Sequence, residues 1–293
     1  MSRRRSPLLA GILLLVTACS GPASSPPGST PSPTPSPSLG IEHATGATDV
    51  VLRYDRGGGF MAPNSLVTEG PIFSLYGDGT IIFRDVTVAA PPEAADGLGR
   101  GLPYRTARLS EPQIQALLDF AINDGILGIA RAQYLNNRIA DAPTTAFTIH
   151  AGALNKTVSV MGLGIDAGEP GPDAAALNAM ARLAERLGNF NGGTGFETQA
   201  YMPDRYRALL LEAPMGGGPA PVVWPWPDIK PTDFAVPADP EAISFPRHTL
   251  TAADVAKLNL EQIEGGLLGI PVKAPDGKTY TLALRPLLPD EKA

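Results

Sequence analysis

The stretch IFSLYGDGTIIF, residues 72–83, decides the fold class. Two short apolar runs, Ile72–Tyr76 and Thr80–Phe83, flank Gly77-Asp78-Gly79. An Asp-Gly pair between two such runs is the strongest short-range signal of a β-hairpin, in which the strands pair antiparallel. Because the same signal recurs at Asp276-Gly277 between two later apolar runs, we expect a fold built on antiparallel hairpins.

A third hairpin and a first helix are predicted between these two signals. Thr144–His150 and Thr157–Met161 alternate apolar and polar residues, which is typical of half-buried strands. Ser110, with glutamine three residues later and proline in the first turn, has the pattern of a helix N-terminus. One apolar stripe follows at helical spacing and Gly125 is expected to end the helix; the stripe consists of Ile114, Leu117, Leu118, Ala121 and Ile122.

Two more helices complete the predicted set. Asp173 precedes an amphipathic run, Ala174–Leu187, and a Thr-x-x-Asp cap opens Thr251–Glu264. Residues 86–109 are rich in proline, glycine and alanine and are predicted to form a long loop. The 32 glycines and 31 prolines exceed a fifth of the chain, which favours many turns over a helical bundle. We therefore expect an α+β fold of antiparallel β-hairpins with about three helices packed against them.

The N-terminus has the pattern of a secretory signal peptide, residues 1–18. Arg3–Arg5 precede an apolar stretch, Leu8–Thr17, which ends on small residues. That stretch is about ten residues long, half of the ~20 that a membrane-spanning helix needs. Ser2-Arg3-Arg4 also fits part of a twin-arginine signal, so the choice between the general secretory and the twin-arginine route stays open.

The only cysteine of the chain follows this signal. Val16-Thr17-Ala18-Cys19 resembles a bacterial lipobox, in which a diacylglycerol is attached to the cysteine and the leader is cut off before it. Two or three acyl chains on one residue anchor a protein stably. Residues 19–40, with seven prolines among serine, threonine and glycine, are predicted to be a disordered, polyproline-like tether. We expect a lipoprotein, palmitoylated at Cys19, on the outer, extracytoplasmic face of the cell membrane.

The folding part of the chain divides into an expected α+β domain, residues 41–197, and a C-terminal α+β subdomain, residues 198–293, which is either separate or continuous with the first. The net charge is −6, and the three arginines of the leader are lost on processing. Because the basic residues are scattered over an acidic chain, the sequence predicts no nucleic-acid partner.

No metal site, cofactor or catalytic residue is predicted. The three histidines, His43, His150 and His248, have no partner at metal-ligand spacing, and His150 is expected to face solvent. Gly277-Lys278-Thr279 matches the end of a phosphate-binding loop, but it falls in an Asp-Gly hairpin turn instead of a strand-to-helix junction. The 29 acidic residues are interpreted as a solvated surface, although two of them meeting in the fold could form a glycosidase pair.

Two features favour binding. Trp224-Pro-Trp226-Pro227 places aromatic rings on an extended, stiff backbone, which suits stacking on a sugar or a partner peptide. The alternative is that both rings close the core over a sheet. Phe60 ends a triple-glycine loop that either binds a partner or forms a glycine-rich bulge.

Five segments together resemble a group of uncharacterised bacterial lipoproteins. They are ATDVVLRYDRGGGF (47–60), YGDGT (76–80), the capped helix from Leu109, DAPTTAFTIHAG (141–152) and YTLALRPLLPDE (280–291). The part from the first hairpin to Arg186 also looks like a small extracytoplasmic domain family of unknown function. The resemblance implies a lipid anchor and an α+β fold, and it supplies no activity or catalytic residue.

These observations favour a non-enzymatic, lipid-anchored binding module of the bacterial cell envelope, with an envelope protein or polysaccharide as its partner. The alternative is an extracytoplasmic hydrolase whose acidic residues meet only in the fold. A solute receptor is disfavoured, because the chain lacks the alternating strand and helix order of two-lobed α/β receptors.

Overall fold

The two Asp-Gly turns form as the sequence predicts, and each joins neighbouring strands of an antiparallel pairing. The carboxylate of Asp78 accepts the backbone N–H of Thr80 at 2.9 Å, and Asp276 accepts that of Lys278 at the same distance. Gly79 and Gly277 have φ of +88° and +84°. Glycine adopts this left-handed region without the steric cost of a Cβ atom, so both turns are specified locally.

The computed structural model describes residues 40–59, 69–84, 86, 96–135, 139–165, 171–191, 197–212, 219–236 and 245–292. The predicted signal peptide, Cys19 and Phe60 lie outside these residues. The strands are β1 (Val50–Gly57), β2 (Phe73–Tyr76), β3 (Thr80–Phe83), β4 (Gly99–Arg100), β5 (Arg105–Arg108), β6 (Gln133–Tyr134), β7 (Thr144–Ala151), β8 (Leu154–Met161), β9 (Gln199–Ala200), β10 (Arg205–Leu211), β11 (Val222–Val223), β12 (Arg247–Thr251), β13 (Leu267–Lys273) and β14 (Thr279–Pro286). The α-helices are α1 (Glu111–Asp119), α2 (Ala174–Gly188) and α3 (Ala252–Ala256). The predicted α+β class is confirmed.

The first sheet, which we call the N-terminal sheet, has eight strands in the order β6-β8-β7-β1-β2-β3-β5-β9. All its pairings are antiparallel except the short β6–β8 pair. The apolar sides of α1 and α2 cover one of its faces and form the larger core of the molecule. Alternation along β7 places Phe147 and Ile149 in that core and leaves His150 exposed, as predicted.

Helix α1 begins and ends at the predicted residues, but its last turn is π-helical. The backbone N–H and the hydroxyl of Ser110 both donate to Gln113 Oε1 at 2.8 Å, and the predicted apolar stripe is buried or half-buried. The helix continues as a π-helical turn, Phe120–Asp124. Gly125 keeps a right-handed φ of −80°, and the next residue, Ile126, adopts the left-handed φ of +61°. Gly125 is therefore the C-cap residue, as predicted, and the left-handed conformation falls on the residue after it.

The second sheet, the C-terminal sheet, has the order β11-β13-β14-β10-β12, with β4 paired to β13. The predicted last hairpin is confirmed as β13–β14. Its core contains both tryptophans together with Tyr206, Leu250 and Leu284. A smaller cluster, centred on Tyr76, Tyr104 and Leu288, packs the N-terminal sheet against the segment that follows β14.

Two predictions of secondary structure are wrong. Residues 86–109 are not one long loop, because β4 and β5 lie within them and pair with β13 and β3. The helix expected over Thr251–Glu264 is the short α3, since Asn259 and Gln262 adopt left-handed φ of +52° and +57° and turn the chain away.

Residues 40–293 form one unit by their contacts. Strand β4 precedes the expected domain boundary at residues 197 and 198 yet joins the C-terminal sheet, and β9 follows it yet joins the N-terminal sheet. The division into a domain and a subdomain remains a prediction. Among the described residues, we find no helix with the length and apolarity to span a membrane.

Candidate functional site

A cleft of about 990 Å³ opens beside the C-terminal sheet, and we call it the tryptophan cleft. The end of β10, the proline-rich chain after β11 and the β13–β14 turn form its sides. Its aromatic lining consists of Trp224, Trp226, Phe234 and Tyr280. Its volume lies within the ~300–1,000 Å³ that is usual for ligand sites. The predicted binding tryptophans are thus brought together in the walls of a cleft.

The two tryptophan rings are held by a stiff local backbone and by hydrogen bonds to nearby and distant segments. The prolines at 225 and 227 hold the chain extended, and the backbone N–H of Trp224 donates to the carbonyl of Lys273 at 3.0 Å, continuing the β11–β13 pairing. The rings meet edge to face, with centroids 5.1 Å apart. The indole N–H of Trp224 donates to the backbone carbonyl of Ile229 at 2.8 Å. The indole N–H of Trp226 donates to the backbone carbonyl of Asp254 at 2.9 Å.

Both tryptophans also belong to the core, as the alternative interpretation of the sequence had it. Trp224 is 8% exposed and Trp226 is 2% exposed. Their hydrogen bonds and packing leave the rings little freedom, so they form a preorganised wall. A preformed wall loses little conformational entropy when a ligand binds.

Charged side chains occur at the rim of the cleft. The ammonium of Lys278 pairs with the carboxylate of Glu212, and the hydroxyl of Tyr280 donates to Asp276 Oδ2 at 2.6 Å. This bond from Tyr280, helped by the backbone N–H of Lys278, lowers the pKa of Asp276 below its usual value. Lys230 adds a second, exposed ammonium. Among the described residues, the rim combines two acidic with two basic side chains.

The hydrogen bonds at the rim do not favour Asp276 as a proton donor. A glycosidase pair needs one carboxyl group with a raised pKa, so that it can donate a proton near neutral pH. The hydrogen bonds of Asp276 act in the opposite direction, and Glu212 is engaged by Lys278. The two carboxylates of the cleft therefore act as acceptors for neighbouring donors.

A second group of charged residues lies away from the cleft, between β1, β2 and the C-terminal segment. Arg53 binds Asp290 through two nitrogen–oxygen contacts of 2.9 and 2.7 Å, and the hydroxyl of Tyr76 donates to the same carboxylate at 2.7 Å. The two terminal nitrogens of Arg285 likewise donate to the two carboxylate oxygens of Glu291, at 3.1 and 2.6 Å. We call these five residues the C-terminal clasp, because they fix the segment after β14. No sequence motif indicates this group, because its members lie far apart in the chain.

Asp55 lies next to the C-terminal clasp and has an altered acidity. Burial is the main cause that raises its pKa, to about 6. The positive charges of Arg53 and Arg285 lower the pKa of Asp55 and so oppose this rise. The negative charges of Asp290 and Glu291 raise it further. At neutral pH the folded protein thus carries a half-buried carboxylate whose charge is costly.

We expect Asp55→Asn to increase the free energy of unfolding at pH 7.5 by about 1 to 3 kcal/mol, because one pKa unit corresponds to about 1.4 kcal/mol. The folded pKa of about 6 lies above the unfolded value of 3.8. The folded state therefore holds the proton more tightly, and the natural protein should lose stability as the pH rises from about 4 to about 6. Urea unfolding at several pH values measures both curves. A variant curve that stays parallel to the natural one across this range would contradict the assignment.

The three histidines are dispersed. His43 Nε2 lies 3.3 Å from Glu111, His150 Nδ1 lies 3.0 Å from the carbonyl of Val50, and the ring of His248 packs against Phe234. Within the described part of the chain, no three histidine, cysteine, aspartate or glutamate side chains are grouped to hold a metal ion.

Comparison with known proteins adds no relative to this picture: no family model, no curated protein and no solved structure matches the chain.

Proposed function

We propose that this protein is a lipid-anchored, non-enzymatic binding module of the bacterial cell envelope, and that it holds its partner in the tryptophan cleft. The observation that carries the proposal is the cleft itself, whose aromatic walls are fixed by hydrogen bonds and packing. The lipobox at Cys19 and the proline-rich tether support the envelope location. Likeness to the uncharacterised bacterial lipoproteins is part of the same proposal.

Adding envelope fractions to the full-length protein in detergent is expected to change its tryptophan emission. The chain has two tryptophans, and both line the cleft, so the signal reports on the proposed site. The fractions to compare are envelope proteins and envelope polysaccharides. If no fraction changes the emission, the cleft is not the binding site.

A variant that fills the cleft mouth tests the location. Thr232 lines the cleft and is exposed, so Thr232→Arg should obstruct the cleft without disturbing the core. We expect the apparent affinity for the active fraction to fall at least about tenfold, equivalent to about 1.4 kcal/mol. Thr144→Arg is the matched control, because Thr144 is exposed at the start of β7 in the other sheet. Equal losses in the two variants would refute a cleft-specific effect.

A further inference from the structure

Four arginines share one face of the C-terminal sheet, and we call this face the arginine face. Along β10, Tyr206, Ala208 and Leu210 belong to the core that contains both tryptophans, so alternation turns Arg207 to the other side of the sheet. The residues of neighbouring strands that lie on this side are Arg205 and Arg207 of β10, Arg247 and Thr249 of β12, and Arg285 of β14. Both tryptophans therefore lie on the opposite side of the sheet from these arginines.

The strand register places Arg207 at the centre of the arginine face. Arg285 is its direct partner on β14, and Thr249 is its direct partner on β12. Arg247 is its diagonal neighbour, because Arg247 pairs with Leu209, two residues further along β10. Directly opposed residues have Cβ atoms about 5 Å apart, and diagonal neighbours are separated by about 7–8 Å. Three long cationic side chains from adjacent strands thus reach the same region.

Two of the four guanidinium groups already have partners. Arg285 donates to both carboxylate oxygens of Glu291, and Arg205 donates to the backbone carbonyl of Glu291 at 3.0 Å. In the ranges that the structure describes, no carboxylate forms an ion pair with Arg207 or Arg247. Arg207 and Arg247 therefore contribute two positive charges that no ion pair compensates.

The electrostatic environment of Arg207 is unfavourable for a cation. Burial is the main cause that lowers its pKa, and the positive charges of Arg285 and Arg247 lower it further, whereas Glu291 acts in the opposite direction. Like charges directly opposite each other in a sheet are destabilising. A half-buried cation without a partner also loses part of its hydration. An anion bound between Arg207 and Arg247 would remove both disadvantages.

The remaining donors suit a phosphate group. Each guanidinium has a planar fork of N–H groups that matches two phosphate oxygens, and the Thr249 hydroxyl adds a further donor on the same face. A phosphate monoester carries a charge of about −1.5 to −2 at neutral pH, which matches the two uncompensated arginines. A carboxylate has one negative charge and would compensate only one of them. Because Arg247 is exposed and Arg207 and Thr249 are half-buried, a small anion can approach from solvent.

We propose that Arg207, Arg247 and Thr249 form a binding site for a dianionic phosphate group, either inorganic phosphate or a phosphate monoester. The two guanidinium groups donate to its oxygens from adjacent strands, and the hydroxyl of Thr249 completes the site. This site is separate from the tryptophan cleft and does not depend on the function proposed for the cleft.

Thermal unfolding of the full-length protein in detergent, monitored by circular dichroism, tests the ligand class. A ligand that binds only the folded state raises the unfolding temperature as its concentration increases, and this dependence gives the affinity. The probes are inorganic phosphate, glycerol 3-phosphate and acetate, at constant ionic strength so that screening stays equal. We expect both phosphates to bind about tenfold or more tightly than acetate. Acetate binding of equal affinity, or no stabilisation by either phosphate, would overturn the proposal.

The two phosphates also separate the possible sources of the ligand. Tighter binding of glycerol 3-phosphate would support an esterified phosphate, such as that of a lipid headgroup. Tighter or equal binding of inorganic phosphate would support recognition of the phosphate group alone.

Arginine variants test the location of the site. Arg207→Gln and Arg247→Gln should each weaken phosphate binding about tenfold or more, because each removes charge-assisted hydrogen bonds. Arg182→Gln is the matched control, since Arg182 is exposed on α2, which packs on the N-terminal sheet. Equal losses in the control, or stabilisation by phosphate that persists in both site variants, would overturn the assignment.

Unfolding without phosphate distinguishes a binding role of Arg207 from a structural one. Arg207→Gln should then unfold at the same temperature as the natural protein or higher, because the variant removes a charge that Arg285 and Arg247 repel. A clear decrease would show that Arg207 has a partner within the protein, and would overturn the proposal. The exposed Arg247 can be replaced without disturbing the core, so Arg247→Gln decides the question of binding even if Arg207→Gln fails to fold.

Discussion

Replacing Glu291 by alanine is expected to lower the free energy of unfolding by about 3 to 5 kcal/mol. The side chain of Arg285 is 3% exposed and that of Glu291 is 15% exposed. Removal of the carboxylate leaves a buried guanidinium without its bidentate partner, which is the most damaging way to break such a pair. The carboxylate also accepts the backbone N–H of Leu288 at 2.8 Å, so the alanine variant also loses this hydrogen bond in the turn that follows β14. Urea unfolding monitored by circular dichroism measures the change.

The matched control is Glu212→Ala at the rim of the tryptophan cleft. Glu212 also pairs with a cation, but its side chain is 66% exposed, so water replaces the lost contact and little change is expected. A double variant, Arg285→Leu with Glu291→Leu, should recover part of the loss, because no buried charge is then left unpaired. If Glu291→Ala and Glu212→Ala unfold at similar urea concentrations, the C-terminal clasp does not stabilise the fold.

The parts of the fold that sequence reasoning predicts well are those with local causes. Each Asp-Gly turn is fixed by the aspartate side chain and by the glycine that follows it. The first turn of α1 depends on Ser110 and Gln113 alone. Such features need no knowledge of distant residues, and their residue patterns are therefore reliable predictors.

The failures have tertiary causes. Residues 105–108 read Arg-Thr-Ala-Arg, with no apolar alternation, and they form β5 because they pair with both β3 and β9. In such a case, pairing with neighbouring strands outweighs the low β-propensity of the residues.

The candidate site was only half accessible to sequence reasoning. The Trp-Pro-Trp-Pro stretch could be singled out, because two aromatic rings on a stiff backbone are a local feature. Its rim comes from residues 212, 230 and 276–280, which meet because β10 and β13 both flank β14. The clasp is still less local, since Arg53 and Asp290 are separated by 237 positions.

Replacing Cys19 by alanine is expected to abolish incorporation of labelled palmitate into the protein. The proposed anchor depends on one sulfur atom, and the chain has no second cysteine that could accept the lipid. The measurement is metabolic labelling followed by isolation of the protein. Ser20→Ala is the control, because it changes the neighbouring residue and leaves the acceptor thiol in place.

The same variants separate a lipid anchor from retention by an uncut leader. The apolar stretch Leu8–Thr17 is half the length of a membrane-spanning helix. Each buried methylene group of an acyl chain contributes about 0.8 kcal/mol to membrane binding. The apolar stretch should therefore hold the chain at the membrane less firmly than two or three acyl chains do. The natural protein should therefore enter the detergent phase on phase partitioning, and its N-terminal peptide should begin at an acylated residue 19. Palmitate that persists in Cys19→Ala, or a natural protein whose residue 19 carries no lipid, would remove the basis for the proposal that the protein lies on the outer face of the membrane.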